Sequence, residues 1–351
     1  MNLENLKMFL YKARHWEYWP VHLVYFPIYL LWAYYAIRAR SLFFFNAVNP
    51  AIKNGGFVME SKMDIYGLIP SEHYPTTRFV ERNLPKASLK ELLREAAIDF
   101  PLFVKPDIGL RGSGVRKITD WDHLYDYHQK VEFDYLIQAL IDLPNEVGIF
   151  YIRHPKEPKG RITGMVYKEL MTVLGDGNTS LKKLILGNPR YRLQLRALQS
   201  EYGEKLQEVL PKGIYFNLVP CGSHCRGAKF MDHSQYITPE LTDTIDAICS
   251  RIEGFHYGRL DIMYRTMEGL SQGRDFKIVE INGAKSEPTH IYDPQHSLFF
   301  AWKELAWHIH KLYRISIYNH RHQNVPYLSF KNGMAQMREH YGQARKIGQF
   351  V

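Results

Sequence analysis

Three clusters of residues have the types and spacing to do chemistry. Residues 100–118, FPLFVKPDIGLRGSGVRKI, put Lys105 at the end of an apolar run, Gly109, Gly112, Ser113 and Gly114 in a turn, and Lys117 in a second run. Glycines let backbone N–H groups approach anionic oxygen because no Cβ obstructs them, and the two lysines add mobile point charges suited to phosphate. The segment is not a Walker A loop, since no Gly-Lys-Ser/Thr opens a helix, and its glycine spacing is not the dinucleotide fingerprint. A glycine-rich hairpin with no ligand would read the same way. Residues 258–283, GRLDIMYRTMEGLSQGRDFKIVEING, read as two strands around a polar, glycine-containing loop. Strand alternation puts Glu280 and Asn282 on one face, where Asp261 of the partner strand can join them. Two carboxylates and an amide oxygen suit Mg²⁺, with Mn²⁺ as a substitute, bridging phosphates; an acidic pair buried without a cation would repel itself. A solvated hairpin edge is the bland alternative.

The third cluster, FDYLIQALIDLPNEVGIFYIRHP, is a strand, a short Leu-Pro-Asn linker and a second strand. Backbone groups of such a linker can pair with an adenine edge, and Glu146 stands where a carboxylate would take ribose hydroxyls. With this pattern the chain resembles the ATP-grasp family. The order of Lys-Pro strand, glycine loop, hinge with Glu, Asp and Glu-x-Asn matches over residues 100–295. The resemblance implies an α+β ATP-grasp fold of two subdomains whose antiparallel sheets clamp ATP. It implies Lys105 on the phosphates, Gln138, Ala139, Leu140 and Ile141 along the adenine, and Glu146 on the ribose. VYKELMTVLGDGNTSLKKLILGNPR resembles the Gly-Asp-Gly-x-Thr segment of cyanophycin-synthetase-like and glutamate-ligase-like members. There Lys168 offers a cation to the nucleotide and Thr179 is expected to cap the helix LKKLIL, with plain turn roles for Asp176 and Thr179 as the alternative. In NLVPCGSHCRGAKFMDHS, at the place of an active-site loop, Arg226 would neutralise an acyl phosphate, with Lys229 as a second candidate. Beyond Asn282, the residues Ser286, Thr289 and His290 are candidate substrate contacts.

The activity implied is ADP-forming carbon–nitrogen ligation of a carboxylate and an amine, such as amino acids or peptides, through an acyl phosphate. An ATP-grasp phosphotransferase would present the same nucleotide site, and a non-catalytic, membrane-associated nucleotide-binding protein is a third reading. The latter has no physical need for the acidic cluster.

The elements that must hold these residues divide the chain into an N-terminal module at 1–83, ATP-grasp subdomains at 84–180 and 181–318, and a helical or frayed tail at 319–351. The small parallel α/β domain that usually opens such ligases is not legible before about residue 80. In its place stands YWPVHLVYFPIYLLWAYYAI, residues 18–37, without Asp, Glu, Lys or Arg. Its length approaches a bilayer crossing, but Pro20, Pro27, five tyrosines and two tryptophans give it an interfacial character. Lys7, Lys12 and Arg14 precede it and Arg38 and Arg40 follow, which suits attachment to the cytoplasmic face of a membrane with both ends on one side. Packing on the rest of the chain, or on a second copy in a homodimer, is the competing expectation.

Composition sets the outer bounds. A chain of 351 residues, 46% hydrophobic and 23% charged, buries a substantial core. A net charge of +9 favours an anionic partner, but no zinc-finger spacing, basic heptad helix or aromatic RNA-binding signature points to nucleic acid. Three cysteines are too few for a disulfide framework, so a reducing, cytoplasmic setting is expected. Cys221 and Cys225 flank His224 without a second ligand pair and read as unpaired thiols.

Overall fold

The computed structural model describes residues 3–109, 113–219, 222 and 227–350. Eleven strands occur among them: β1 (Thr77–Val80), β2 (Leu102–Pro106), β3 (Arg116–Ile118), β4 (Tyr135–Ala139), β5 (Asn145–Ile152), β6 (Arg161–Glu169), β7 (Thr172–Leu174), β8 (Tyr215–Asn217), β9 (Lys229–Asp232), β10 (Tyr257–Tyr264) and β11 (Phe276–Asn282). They form two main antiparallel sheets, ordered β1-β4-β2-β3 and β11-β10-β5-β6-β9, with β7 and β8 as a separate pair. The chain is therefore α+β.

The first sheet packs on helices Lys86–Ala96 and Trp121–Lys130. Leu89, Leu93 and Ala96 recur at helical spacing and are buried with Val80, Leu102, Val104 and Ile137. The second helix starts where Asp120 accepts a hydrogen bond from the His123 N–H at 2.9 Å. In the second sheet, alternation along β5 and β10 sorts side chains strictly. Val147, Ile149, Tyr151, Leu260 and Ile262 share a core with Leu241 and Ile245 of helix Pro239–Ser250. Glu146, Gly148, Arg259 and Asp261 point to the opposite side.

The sheets divide between Ala139 and Asn145. The expected boundary at 180 thus falls inside one layer, because β5 and β6 pair with β9 and β10. β1 likewise lies before residue 84 yet belongs to the first sheet.

The N-terminal residues are not a separate module. Helix Val21–Ala39 buries Val24, and its Ile28, Tyr35 and Ala36 share a core with Phe150 and Tyr257 of the second sheet and with Leu305 and Leu312 of helix Leu298–His322. Trp302 Nε1 donates to Val24 O at 2.7 Å, and Tyr35 Oη pairs with His310 Nδ1 at 2.8 Å. Asn49, fully buried, accepts from the N–H groups of His256 and Tyr257 at 2.9 Å and donates to Tyr257 O at 2.7 Å, so it fastens this segment to the start of β10. Among the described residues no helix is long and apolar enough to cross a membrane. The outer side of helix Val21–Ala39 nevertheless leaves Leu23, Phe26, Leu30 and Ile37 exposed.

Of the two expectations for the tail, helical or frayed, the structure has the helix: 21 residues, Phe330–Phe350, docked along its length. Gly333 lies so close to Phe43 that a Cβ would stand 2.4 Å from its ring, His340 Nδ1 accepts from the Met59 N–H at 3.4 Å, and Phe350 packs edge-on against Tyr127 and Phe133.

Candidate active site

Between the two sheets opens a cavity of about 1580 Å³. From the first sheet it receives Lys105, Gln138 and Ala139, with Ile141 of the linker and Gly109 and Ser113 of the glycine-rich segment. From the second it receives Glu146, Lys168, Arg259, Asp261 and Glu280.

On the first sheet, Lys105 of β2 and Gln138 of β4 are neighbours because Phe103 pairs with Gln138 and Lys105 with Leu136. Lys105 Nζ donates to Tyr66 Oη at 2.7 Å, to Gln138 Oε1 at 3.1 Å and to Val279 O at 3.4 Å. Gln138 Nε2 donates to Tyr66 Oη and Thr77 Oγ1 at 3.0 and 2.8 Å. Burial pushes the Lys105 ammonium down to about 8, with the Glu280 and Asp107 carboxylates opposing that fall. Lys105 is thus a buried cation whose closest partners are neutral, an arrangement that an incoming anion would relieve.

On the second sheet, Asp261 lies opposite Glu280, and Arg259 opposite Asn282. Arg259 grips Asp261 with Nε on Oδ1 and Nη2 on Oδ2, both at 3.0 Å. Lys168 of β6 reaches Glu146 Oε1 at 2.6 Å and Asp261 Oδ1 at 3.0 Å. Burial works against the charge on Asp261, but Arg259 and Lys168 outweigh it and hold the carboxyl well below the usual range. Burial likewise opposes the charge on Lys168, yet Asp261 and Glu146 keep its ammonium above the ordinary lysine value. Gly148 of β5 makes room for this cluster, since a Cβ there would lie 3.2 Å from Asp261 Oδ1 and 2.9 Å from Val166. Gly222 closes over it, where a Cβ would stand 2.4 Å from Glu146 Oε2 and 2.7 Å from the Lys168 chain.

The donor set can be weighed against a hard divalent cation. No group of three or more His, Cys, Asp or Glu placed to hold a metal ion occurs among the described residues. Two carboxylates and one amide are present instead. Asp261 is engaged by Arg259, by Lys168 and by Asn282 Nδ2 at 3.3 Å, whereas Glu280 is more than one-third exposed and among the described residues pairs with Lys62 Nζ at 3.7 Å. Glu280 and Asn282 thus offer open oxygen ligands beside an Asp already held in place. The set fits an ion that draws its remaining ligands from phosphate and water.

Several sequence candidates lie elsewhere. Lys117 is exposed on the edge strand β3 and does not line the cavity, and Leu140 turns outward. Thr179 is not the helix cap. That position falls to Ser180, while Thr179 donates to Asp176 Oδ2 at 2.6 Å within a turn. Lys229 stands on β9 at 3.9 Å from Glu169. His290 is packed under Gly164, and burial lowers it to about 4, whereas Ser286 and Thr289 do line the cavity. Gly112 and Arg226, like Cys221, His224 and Cys225, lie outside the described residues.

Residues that the sequence reading missed complete the site. Arg259 is one, and the alternation that grouped Glu280 with Asn282 would have placed it beside Asp261. Tyr66 and Lys62, from helix Lys62–Leu68, carried no such signal. Glu287 is the fourth. It lines the cavity, accepts a hydrogen bond from Tyr292 Oη at 2.9 Å, and is pushed up to about 7 by burial, the tyrosine opposing. Its loop is anchored by glycines: Ala284 N–H donates to Gly55 O at 2.9 Å, and a Cβ on Gly56 would lie 2.7 Å from the Gly283 Cα.

No protein-family model and no curated protein matches the sequence. Solved structures similar to it are ATP-grasp ligases. They include D-alanine–D-alanine ligase from Bacillus anthracis, at 15% identity and a TM-score of 0.42 over 75% of this chain and 69% of that one. The VanG D-Ala:D-Ser ligase from Enterococcus faecalis has 15% identity and a TM-score of 0.42, over 72% and 61%. The bifunctional glutathione synthetase from Pasteurella multocida has 13% and 0.37, over 72% and 38%. The chain spans between 38% and 69% of the length of these three proteins.

Proposed function

We propose that this chain is an ATP-dependent ligase of the ATP-grasp type that activates a carboxylate as an acyl phosphate, joins it to an amine and releases ADP and phosphate. One observation carries the reading: Lys105 from one sheet and Lys168, Arg259, Asp261 and Glu280 from the other converge on a single cavity between two antiparallel layers.

In this reading the adenine lies along Gln138, Ala139 and Ile141, with backbone groups as its partners. Lys105, whose hydrogen-bond partners are neutral, meets the phosphates, and Gly109 and Ser113 line the cavity beside them. Asp261, Glu280 and Asn282 would hold magnesium, which would neutralise phosphate charge during transfer. A carboxylate oxygen attacks the γ-phosphorus in line, and the bond to the bridging oxygen breaks to leave ADP. Arg259, already oriented by its fork on Asp261, presents its remaining N–H groups to the phosphoryl oxygens; Arg226 is a second donor proposed from the sequence. The amine nitrogen then attacks the acyl carbon, the bond to phosphate breaks, and Glu287 takes the proton. A carboxylate poised at about 7 suits that task.

The exposed Leu23, Phe26, Leu30 and Ile37 support contact of the N-terminal helix with a membrane surface at the cytoplasmic face. The ligase reading is tested by magnesium- or manganese-dependent ADP release from the purified chain against pools of carboxylates and amines, with Glu280→Gln as the control. Release that needs both substrates and disappears in Glu280→Gln is expected. Turnover that survives the substitution would refute the assignment of Glu280, and phosphorylated product without an amine requirement would identify a phosphotransferase.

A further inference from the structure

The cavity does not end at the polar residues. Beyond Ala284 and Thr289 it continues into an arm walled by apolar side chains from three helices. On helix Val21–Ala39 the lining residues Val21, Tyr25, Ile28 and Trp32 share one face, and the span from 21 to 32 covers about 16 Å at the helical rise. Leu305, Ile309 and Leu312 of helix Leu298–His322 face them. Met334 and Met337 of helix Phe330–Phe350 close the third side with side chains that adapt to irregular shapes. The whole space, about 1580 Å³, exceeds the roughly 300–1,000 Å³ of ordinary small-molecule pockets. Where the arm meets the polar end, Thr289 Oγ1 is buried and has no hydrogen-bond partner among the described residues. Glu287 stands at the same junction.

A nucleotide and two small polar substrates would leave this arm as unfilled apolar surface. We propose that it holds the hydrocarbon tail of one of the two substrates, an amphiphile whose reacting carboxylate or amine lies beside Thr289 and Glu287. The head-group chemistry rests on the ligase reading, whereas the tail rests on the cavity alone.

The test is calorimetric titration of the full chain with butanoate, octanoate and dodecanoate, and with the alkylamines of the same lengths, all below their micelle concentrations. ATP is titrated separately. Each added methylene that enters the arm should tighten binding about fourfold in one of the two series, until the arm is full. Ile309→Trp, which fills the arm, should return dodecanoate or dodecylamine to the affinity of its four-carbon homologue, and Ile28→Trp should do the same from the opposite wall. The far-ultraviolet circular dichroism spectrum and urea midpoint of each variant report whether it is folded. Equal affinities along both series, or a chain-length dependence untouched by both tryptophans, would overturn the proposal. A flat series with intact ATP binding removes the arm and leaves the ligase reading standing. A steep series in a chain that does not bind ATP does the reverse.

Discussion

Lys105→Met should separate stability from function with opposite signs. Methionine keeps most of the volume and removes the charge. The fall of Lys105 from 10.5 to about 8 corresponds to about 3 kcal/mol by which burial disfavours the ammonium in the folded chain. Against this stand three hydrogen bonds, of which Tyr66 and Gln138 can replace part, since they remain bonded to each other at 3.0 Å. Their loss costs about 1–2 kcal/mol. The variant should therefore be more stable than the parent by about 1–2 kcal/mol at pH 7, measured by urea denaturation without nucleotide. The sign of the pH dependence follows from the lowered value. Below pH 8 both folded and unfolded states carry the proton and the penalty is complete. Between about 8 and 10.5 the folded state releases the proton first, so parent stability rises in that window and the advantage of Lys105→Met shrinks. ATP affinity should fall about 10- to 100-fold, the worth of a charge-assisted hydrogen bond to phosphate. A variant destabilised by more than about 2 kcal/mol at pH 7, with a difference that ignores pH, would show that Lys105 is a structural cation and would refute the reasoning.

Three further outcomes are expected. Asp261→Asn leaves Arg259 and Lys168 facing an uncharged amide, so it should cost about 3–5 kcal/mol in denaturant unfolding as well as abolish ADP release. Glu287→Gln should remove the rise in turnover that the parent shows as pH passes about 7. Because the folded value is raised, parent stability should also decline from about pH 4.5 to 7, and this decline should be missing in the variant. Gly333→Ala drives a methyl into the Phe43 ring and should destabilise by about 1–3 kcal/mol, read as a lower urea midpoint.

What was legible in the sequence was what local alternation controls. The β10–β11 hairpin, the Lys105 strand and the strand–linker–strand around Glu146 follow from period-two patterns and turn residues, and the same rule contained Arg259. Lys117 shows its limit: a lysine in a short strand faces the site or solvent according to a parity that the glycine-rich segment before it leaves open. The division at 180 failed for a related reason. Chain order groups β5 and β6 with β1–β4, but their outer neighbours in the sheet, β10 and β9, lie 60 or more residues downstream. Lys62 and Glu287 reach the cavity, and Tyr66 reaches Lys105, only through tertiary packing, by way of the Asn49 anchor and the Gly55–Gly56 contact with residues 283–285. The aromatic N-terminal helix announced burial without naming its partner, which proved to be helix Leu298–His322.

Helix Phe330–Phe350 carries a mechanical consequence. It bridges the seam between the sheets from outside, with Phe43 near one end and Phe133 near the other. Near its far end Ile347 presses on the backbone of Gly114, where an added Cβ would lie 3.1 Å away. A clamp that closes by tilting one sheet against the other must therefore bend or slide this rod. Gly114 and the Met334–Met337 wall of the cavity lean on this one helix, so a substitution that stiffens or loosens it is expected to be felt at both.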